Sequence, residues 1–197
     1  MFNDVSSYIG LWLFVILMVS TPGPANLLCM SAGASYGFRA NFGFMSGLIT
    51  GKLLLNMAIA FGFGALLMAM PLLKQALSLV AAGYFIFLAL RGWNAGMAGA
   101  TAPPPLHFIN GLFVHPLNPK AWVMASLAYT QFIANLDTGF EKYALAPLSF
   151  LIAQVIFHGA WCWAGAMLKA QLGTKPAWNR GLILLTIAVV LWALSYA

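Results

Sequence analysis

The stretch Tyr8–Met30, YIGLWLFVILMVSTPGPANLLCM, decides the fold. Its first part is apolar without alternation, and about 20 helical residues cross a bilayer. A β-barrel strand would alternate apolar and polar positions over ~10 residues; Leu11 to Val19 does not. The run breaks at Thr21-Pro22-Gly23-Pro24 and then resumes. Proline lacks an N–H and its ring clashes one turn back, so the helix must stop or kink. The residue before each proline is pushed toward extended conformations. Backbone groups freed at membrane depth need protein partners or a watery cavity. Pro24 suits the first turn of a second half-helix. The free N–H groups and positive dipole end of such a helix attract an anion such as a carboxylate.

The rest of the chain fits this reading. Of 197 residues, 62% are apolar and 6% charged, far below the roughly 25% charge of a soluble domain. That excludes a soluble enzyme, a disordered tail and a coiled coil, and predicts an all-α integral membrane protein. The net charge of +6 comes from basic residues scattered singly, not from a stripe, so no nucleic-acid partner is implied. Cys29 and Cys162 both fall in apolar segments and read as packing residues, not as a disulfide or metal set. No metal and no cofactor are expected. Asp4 and no Lys or Arg precedes the first apolar run, so it reads as a retained helix and not a signal peptide.

Six transmembrane helices are predicted, near 8–30, 41–69, 72–90, 108–132, 143–168 and 179–196. Arg39, Arg91, Lys169, Lys175 and Arg180 fall on one side, against Lys74 and Lys142 with Asp4, Asp137 and Glu141 on the other. The positive-inside rule makes the first side cytoplasmic and places both termini outside. The chain reads as one transporter domain, 1–197, with halves 1–95 and 106–197 joined by a linker at 96–105. Three spans per half give the halves opposite topology, the 3+3 inverted repeat of many secondary transporters. The first and fourth helices are then proline-broken at matching places. Pro116-Leu117-Asn118-Pro119 breaks the fourth, 94 residues after Pro22 and 95 after Pro24. Such paired breaks point to a transport site.

These two breaks carry a resemblance. Thr21-Pro22-Gly23-Pro24 resembles the TPGP signature of the LysE/RhtB family of amino-acid exporters. Asn118-Pro119-Lys120-Ala121, followed by Gln131-Phe132, is similar to that family's NPKA signature and QF pair. Gly83-Tyr84-Phe85 resembles its third-helix region, with Phe85 where Leu is usual, and Trp178-Asn179-Arg180 before the last span also fits. His115-Pro116 is a departure just before the second signature. The resemblance covers most of the chain, implies amino-acid export, and implies a functional role for Lys120. It leaves the substrate open.

The polar residues inside the spans supply the candidate site. A charge at the bilayer centre costs roughly 2.5–3.5 kcal/mol on insertion scales. Lys52 lies near mid-membrane with Asn56 one turn on. It either caps carbonyls of a broken helix, or meets a substrate carboxylate or takes part in proton coupling. Lys120 is expected as a second buried cation. Gln154 and His158 form a similar pair in the fifth span. No Asp or Glu lies inside a span, so proton coupling would fall to His115 or His158, or to a lysine whose charged form burial disfavours. The substrate-binding set is Pro22, Gly23, Pro24, Asn26, Lys52, Asn56, Asn118, Pro119 and Lys120. Gly43, Gly47 and Gly51 let helix backbones approach closely, within the bundle or between subunits of a homo-oligomer.

The reading that follows is a secondary exporter of amino acids or related small carboxylate-bearing metabolites in the cytoplasmic (inner) membrane of a bacterium. Gly51-Lys52 lacks the remainder of a nucleotide-binding loop, so the proton-motive force is the expected energy source, by antiport. Two alternatives stand beside it: a membrane-embedded assembly subunit without transport, and an intramembrane enzyme, which would need a nucleophile–base or metal constellation.

Overall fold

The computed structural model describes residues 2–64, 69–95, 104–133, 139–172 and 176–195. Within them every regular element is helical: α1 (Phe2–Ser20), α2 (Pro24–Tyr36), α3 (Phe42–Ala60), α4 (Pro71–Leu90), α5 (Phe108–Leu112), α6 (Val114–Leu117), α7 (Pro119–Ala128), α8 (Gly139–Leu172) and α9 (Pro176–Leu194). The expected linker lies outside the described residues except for Pro104 and Pro105, as do Asp137 and Lys175. Asp4, Glu141 and Lys142 are described by backbone alone.

The exterior is apolar and the interior holds the polar groups. Leu72 is 79% and Trp192 64% exposed, whereas Lys52 is 2% and Asn56 0% exposed. That inversion suits a lipid solvent, in which exposed leucine is unpenalised and a charge is not. Four helical stretches are long and apolar enough to cross a membrane: Arg39–Ala60, Pro71–Leu90, Tyr143–Gln171 and Pro176–Leu194. Val5–Ser20 and Pro24–Tyr36 form a pair bent by 49°, a fifth candidate where the two are counted as one span.

The boundaries depart from expectation in three places. The first span is longer than 8–30: α2 runs on to Tyr36 and is closed by Gly37, whose φ of 85° lets its N–H bond back to Gly33 O at 2.8 Å. That left-handed conformation is open to glycine at little cost. The second span does not continue unbroken to 69: α3 ends at Ala60, and Gly62 takes a φ of 92°. The fourth is not one membrane-length helix: it divides into α5, α6, α7 and a π-helical turn at Tyr129–Ile133. Pro116 and Pro119 each remove a helical donor within four residues, too closely for one helix to absorb. Conversely α8 runs 34 residues, about 51 Å at 1.5 Å per residue, and carries Pro147 inside it.

Glycines set the closest crossings. A Cβ on Gly33 would run into Cys162 O, and one on Gly165 into Met30 O, so α2 and α8 touch backbone to backbone. Gly47 meets Phe108 O, Gly51 meets Leu112 O, and Gly111 meets Phe44 O, which joins α3 to α5 the same way. The small-residue stripe of α3 is therefore spent inside the bundle.

Basic residues gather at one end. Lys169 Nζ donates to Ser35 O at 2.8 Å, Tyr36 Oη to Arg91 O at 3.3 Å, and Asn179 Nδ2 to Gly92 O at 2.6 Å. Arg180 lies over the Trp93 ring, 5.1 Å from its centroid. Arg39 follows three residues after Tyr36. Counted from this end, Pro24 is 11 residues from Ser35, Lys52 ten from Phe42 and His158 eleven from Lys169. At 1.5 Å per residue all three sit about 15–17 Å in, at one depth.

Candidate functional site

At that depth the two breaks face each other across a cavity. In an unbroken helix the N–H groups of residues 22, 23 and 24 would serve Met18, Val19 and Ser20. Pro22 and Pro24 have none, and the extended Gly23 (φ −159°) turns away. Side chains take over. Thr21 Oγ1 donates to Met18 O at 3.2 Å, and Trp161 Nε1 reaches from α8 to Ser20 O at 3.1 Å. Asn26 Nδ2 donates twice, to Val19 O at 2.7 Å and Thr21 O at 2.8 Å. A buried unpaired carbonyl costs roughly 1–3 kcal/mol, so these bonds are what make the break tolerable.

The second break is satisfied by a similar device. Trp122 Nε1 donates to Pro116 O at 2.8 Å. The Asn118 N–H bonds His115 O at 3.1 Å, and Asn118 Oδ1 accepts the Lys120 N–H at 3.0 Å. That caps α7 as asparagine commonly caps helices. No side chain caps α2 at Gly23, so of the two post-break helices only α2 leaves its first-turn amides without such a partner.

Lys52 comes in from α3. Its Nζ donates to Ala121 O at 2.9 Å and lies 4.3 Å from the Phe150 ring centroid. The cation is thus held by a carbonyl and an aromatic face. From α8, His158 Nδ1 lies 2.8 Å from Asn26 Oδ1, and its Nε2 lies 3.4 Å from His115 Nε2 on α6. The two imidazole planes are 22° apart with centroids at 5.7 Å.

Gly23, Pro24, Asn26, Lys52, His115, Asn118, Lys120 and His158 all line one cavity with an empty volume of about 480 Å³. No carboxylate is among its lining residues. Three predicted binding residues stand apart. Pro22 is exposed at the break and off the cavity wall. Asn56 shares a helix with Lys52 but is fully buried away from the cavity, neither amide atom having a partner among the described residues. Pro119 lines a second cavity of about 400 Å³, which shares Pro24, Asn118 and Lys120 with the first. Lys120 is exposed, not buried as expected: it sits in the first turn of a short helix, beside both openings.

Gln154 was not among the predicted binding residues, yet it lines the cavity, 1% exposed, with its Oε1 unpartnered among the described residues. Its signal was an isolated amide one turn before His158 in an apolar helix. Trp122 and Trp161 were also unpredicted in their capping roles; a tryptophan next to a helix break reads as an interface anchor until its N–H is given a target.

The sequence profile of the family described as LysE type translocator matches residues 15–196. The cysteine/O-acetylserine efflux protein of Salmonella typhimurium is 27% identical over 154 residues, covering 78% of each chain. The protein of the same name in Escherichia coli (strain K12) is 26% identical over 161 residues, again 78% of each. No solved structure matches. A profile that begins inside α1, takes in both breaks and ends with the last helix leaves no doubt of kinship: the chain belongs to the LysE type translocators, membrane transport proteins and not enzymes.

Proposed function

We propose that this translocator exports small neutral amino acids across the bacterial cytoplasmic membrane, driven by the proton-motive force. The observation that carries the reading is the mid-depth cavity in which both proline breaks meet a buried lysine. A zwitterion fits its chemistry. The carboxylate lies at Lys52 and the uncapped amides of α2, where positive dipole and cation add. The ammonium turns to Gln154 Oε1. The absence of a carboxylate from the wall disfavours a substrate with a cationic side chain. The names of the relatives point to cysteine and O-acetylserine.

Six crossings arranged as an inverted 3+3 repeat suit this role, with α5, α6 and α7 together serving as the fourth. The gathering of Arg39, Arg91, Lys169 and Arg180 at one end supports a cytoplasmic position for that end, and both termini outside.

Purified protein in proteoliposomes tests the reading. An imposed pH gradient is expected to drive accumulation of labelled cysteine, O-acetylserine or another small neutral amino acid. Absence of flux across a panel of neutral amino acids would sink it.

A further inference from the structure

We propose that His115 and His158 form a single proton-carrying unit whose tautomers are set by the first helix break through Asn26. This rests on the export reading and adds its coupling device.

The assignment follows from donors and acceptors alone. Asn26 Nδ2 serves two backbone carbonyls, Val19 O and Thr21 O. Reversing the amide would aim its oxygen at two other oxygens, so the orientation is fixed. Asn26 Oδ1 then faces His158 Nδ1 at 2.8 Å. An amide oxygen only accepts, so His158 Nδ1 carries a hydrogen. Neutral His158 therefore keeps its lone pair on Nε2, and His115 Nε2, 3.4 Å away, supplies the N–H between them. The remaining lone pair of the pair lies on His115 Nδ1, which is buried and without a partner among the described residues.

The neutral pair thus has one vacancy. A proton bonds to His115 Nδ1. The N–H on His115 Nε2 breaks as its proton passes to His158 Nε2. His115 ends neutral with hydrogen on Nδ1, and His158 ends as the imidazolium. One proton has entered and one charge has crossed from the second break to α8. A second proton would force two like charges into rings 5.7 Å apart and break the bond between them.

The surroundings limit the unit to that one charge. Lys52 from α3 and Lys120 from α7 are the charged groups lining its cavity. The thiols Cys29 on α2 and Cys162 on α8 are buried and do not line it; Tyr36 and Lys169 lie toward the basic end of the same two helices, and no carboxylate lines the wall. A charged pair and a substrate ammonium oppose each other there, so proton and amino acid occupy the cavity in turn. Protonation also makes the His158–Asn26 bond charge-assisted and roughly twice as strong. It draws α8 onto the first break and so favours one access state over the other.

Two experiments decide this. In proteoliposomes, His115→Asn and His158→Asn are expected to lower gradient-driven accumulation at least roughly tenfold, about the effect of 1.4 kcal/mol. Substrate-for-substrate exchange at equal pH should fall less than accumulation does in the same vesicles. If the wild type accumulates and both variants still do, the pair is not the carrier while export stands. If the wild type neither exchanges nor accumulates, both readings fall together. Nitrogen-15 histidine NMR of the wild type is independent of variant folding, since the chain has three histidines. We expect His158 with hydrogen on Nδ1, His115 with hydrogen on Nε2, and uptake of one proton by the two together. The opposite tautomers, or two independent uptakes, would overturn the proposal.

Discussion

Lys52 on α3 donates its ammonium to Ala121 O on α7 at 2.9 Å. A cation on α3 therefore holds the helix that follows the second break. In the proposed function, substrate carboxylate and Ala121 carbonyl are competing partners for one group.

Lys52→Met separates support from binding. It keeps the length and removes the charge. The polar partner of Lys52 is a neutral carbonyl, so the change strands no buried counter-charge, and the free energy of unfolding in detergent should stay within about 1 kcal/mol of wild type. Transport should fall at least roughly tenfold, since a charge-assisted bond to a carboxylate is worth about 1.5–3 kcal/mol. Wild-type flux in Lys52→Met would leave this lysine a structural role only.

Asn26→Leu should be the most damaging single change at the site. It strands Val19 O, Thr21 O and the His158 Nδ1–H together. At about 1–3 kcal/mol for each buried group left unpaired, stability should drop by several kcal/mol. Asn26→Asp restores an acceptor for His158 but no donor for the carbonyls, and should be intermediate. Thermal unfolding of the three proteins in one detergent gives the order.

The glycine crossings predict a contrast. Gly33→Ala and Gly111→Ala press a methyl into a neighbouring backbone, where overpacking typically costs about 1–3 kcal/mol. Gly83→Ala, with nothing within 4 Å of its Cβ position, should stabilise by about 0.5–1 kcal/mol through helix propensity. Equal effects at Gly33 and Gly83 would contradict the α2–α8 contact.

Orientation is open to labelling. Cys29 and Cys162 are buried and give a low background. A membrane-impermeant maleimide should modify Lys74→Cys in intact cells and Arg39→Cys only after permeabilisation. The reverse pattern would invert the topology.

Much of this was legible in the sequence because proline and charge act locally. Pro22 with Pro24 and Pro116 with Pro119 announce breaks because two prolines fall within four residues, whereas the lone Pro147 lies inside an unbroken α8; Lys52 announces a reason for its depth. Gly23, Asn26, Asn118 and His115 followed as neighbours of those marks, His158 as a polar residue in an apolar span, and all five line the cavity. What stayed hidden depends on rotation and reach. Asn56 sits one helical turn from Lys52, yet that spacing did not bring it to the same wall. Lys120 looked buried beside a break, but a first-turn residue of a short helix can stay open to the surface. Trp122 and Trp161 act through single N–H bonds to carbonyls that exist only because helices end nearby. The termination of α3 before Gly62 was also missed, since one glycine in an apolar run carries little signal until its φ is known.

The glycine contacts bear on how this chain can be divided. α2 lies backbone to backbone on α8, and α3 lies the same way on α5. Both contacts join elements before residue 95 to elements after residue 104, so a cut between those positions separates both pairs. Chimaeras joined there must carry matching glycines across both seams, Gly33 with Gly165 and Gly47 with Gly111, or the hybrid will lack a place for its broken helices.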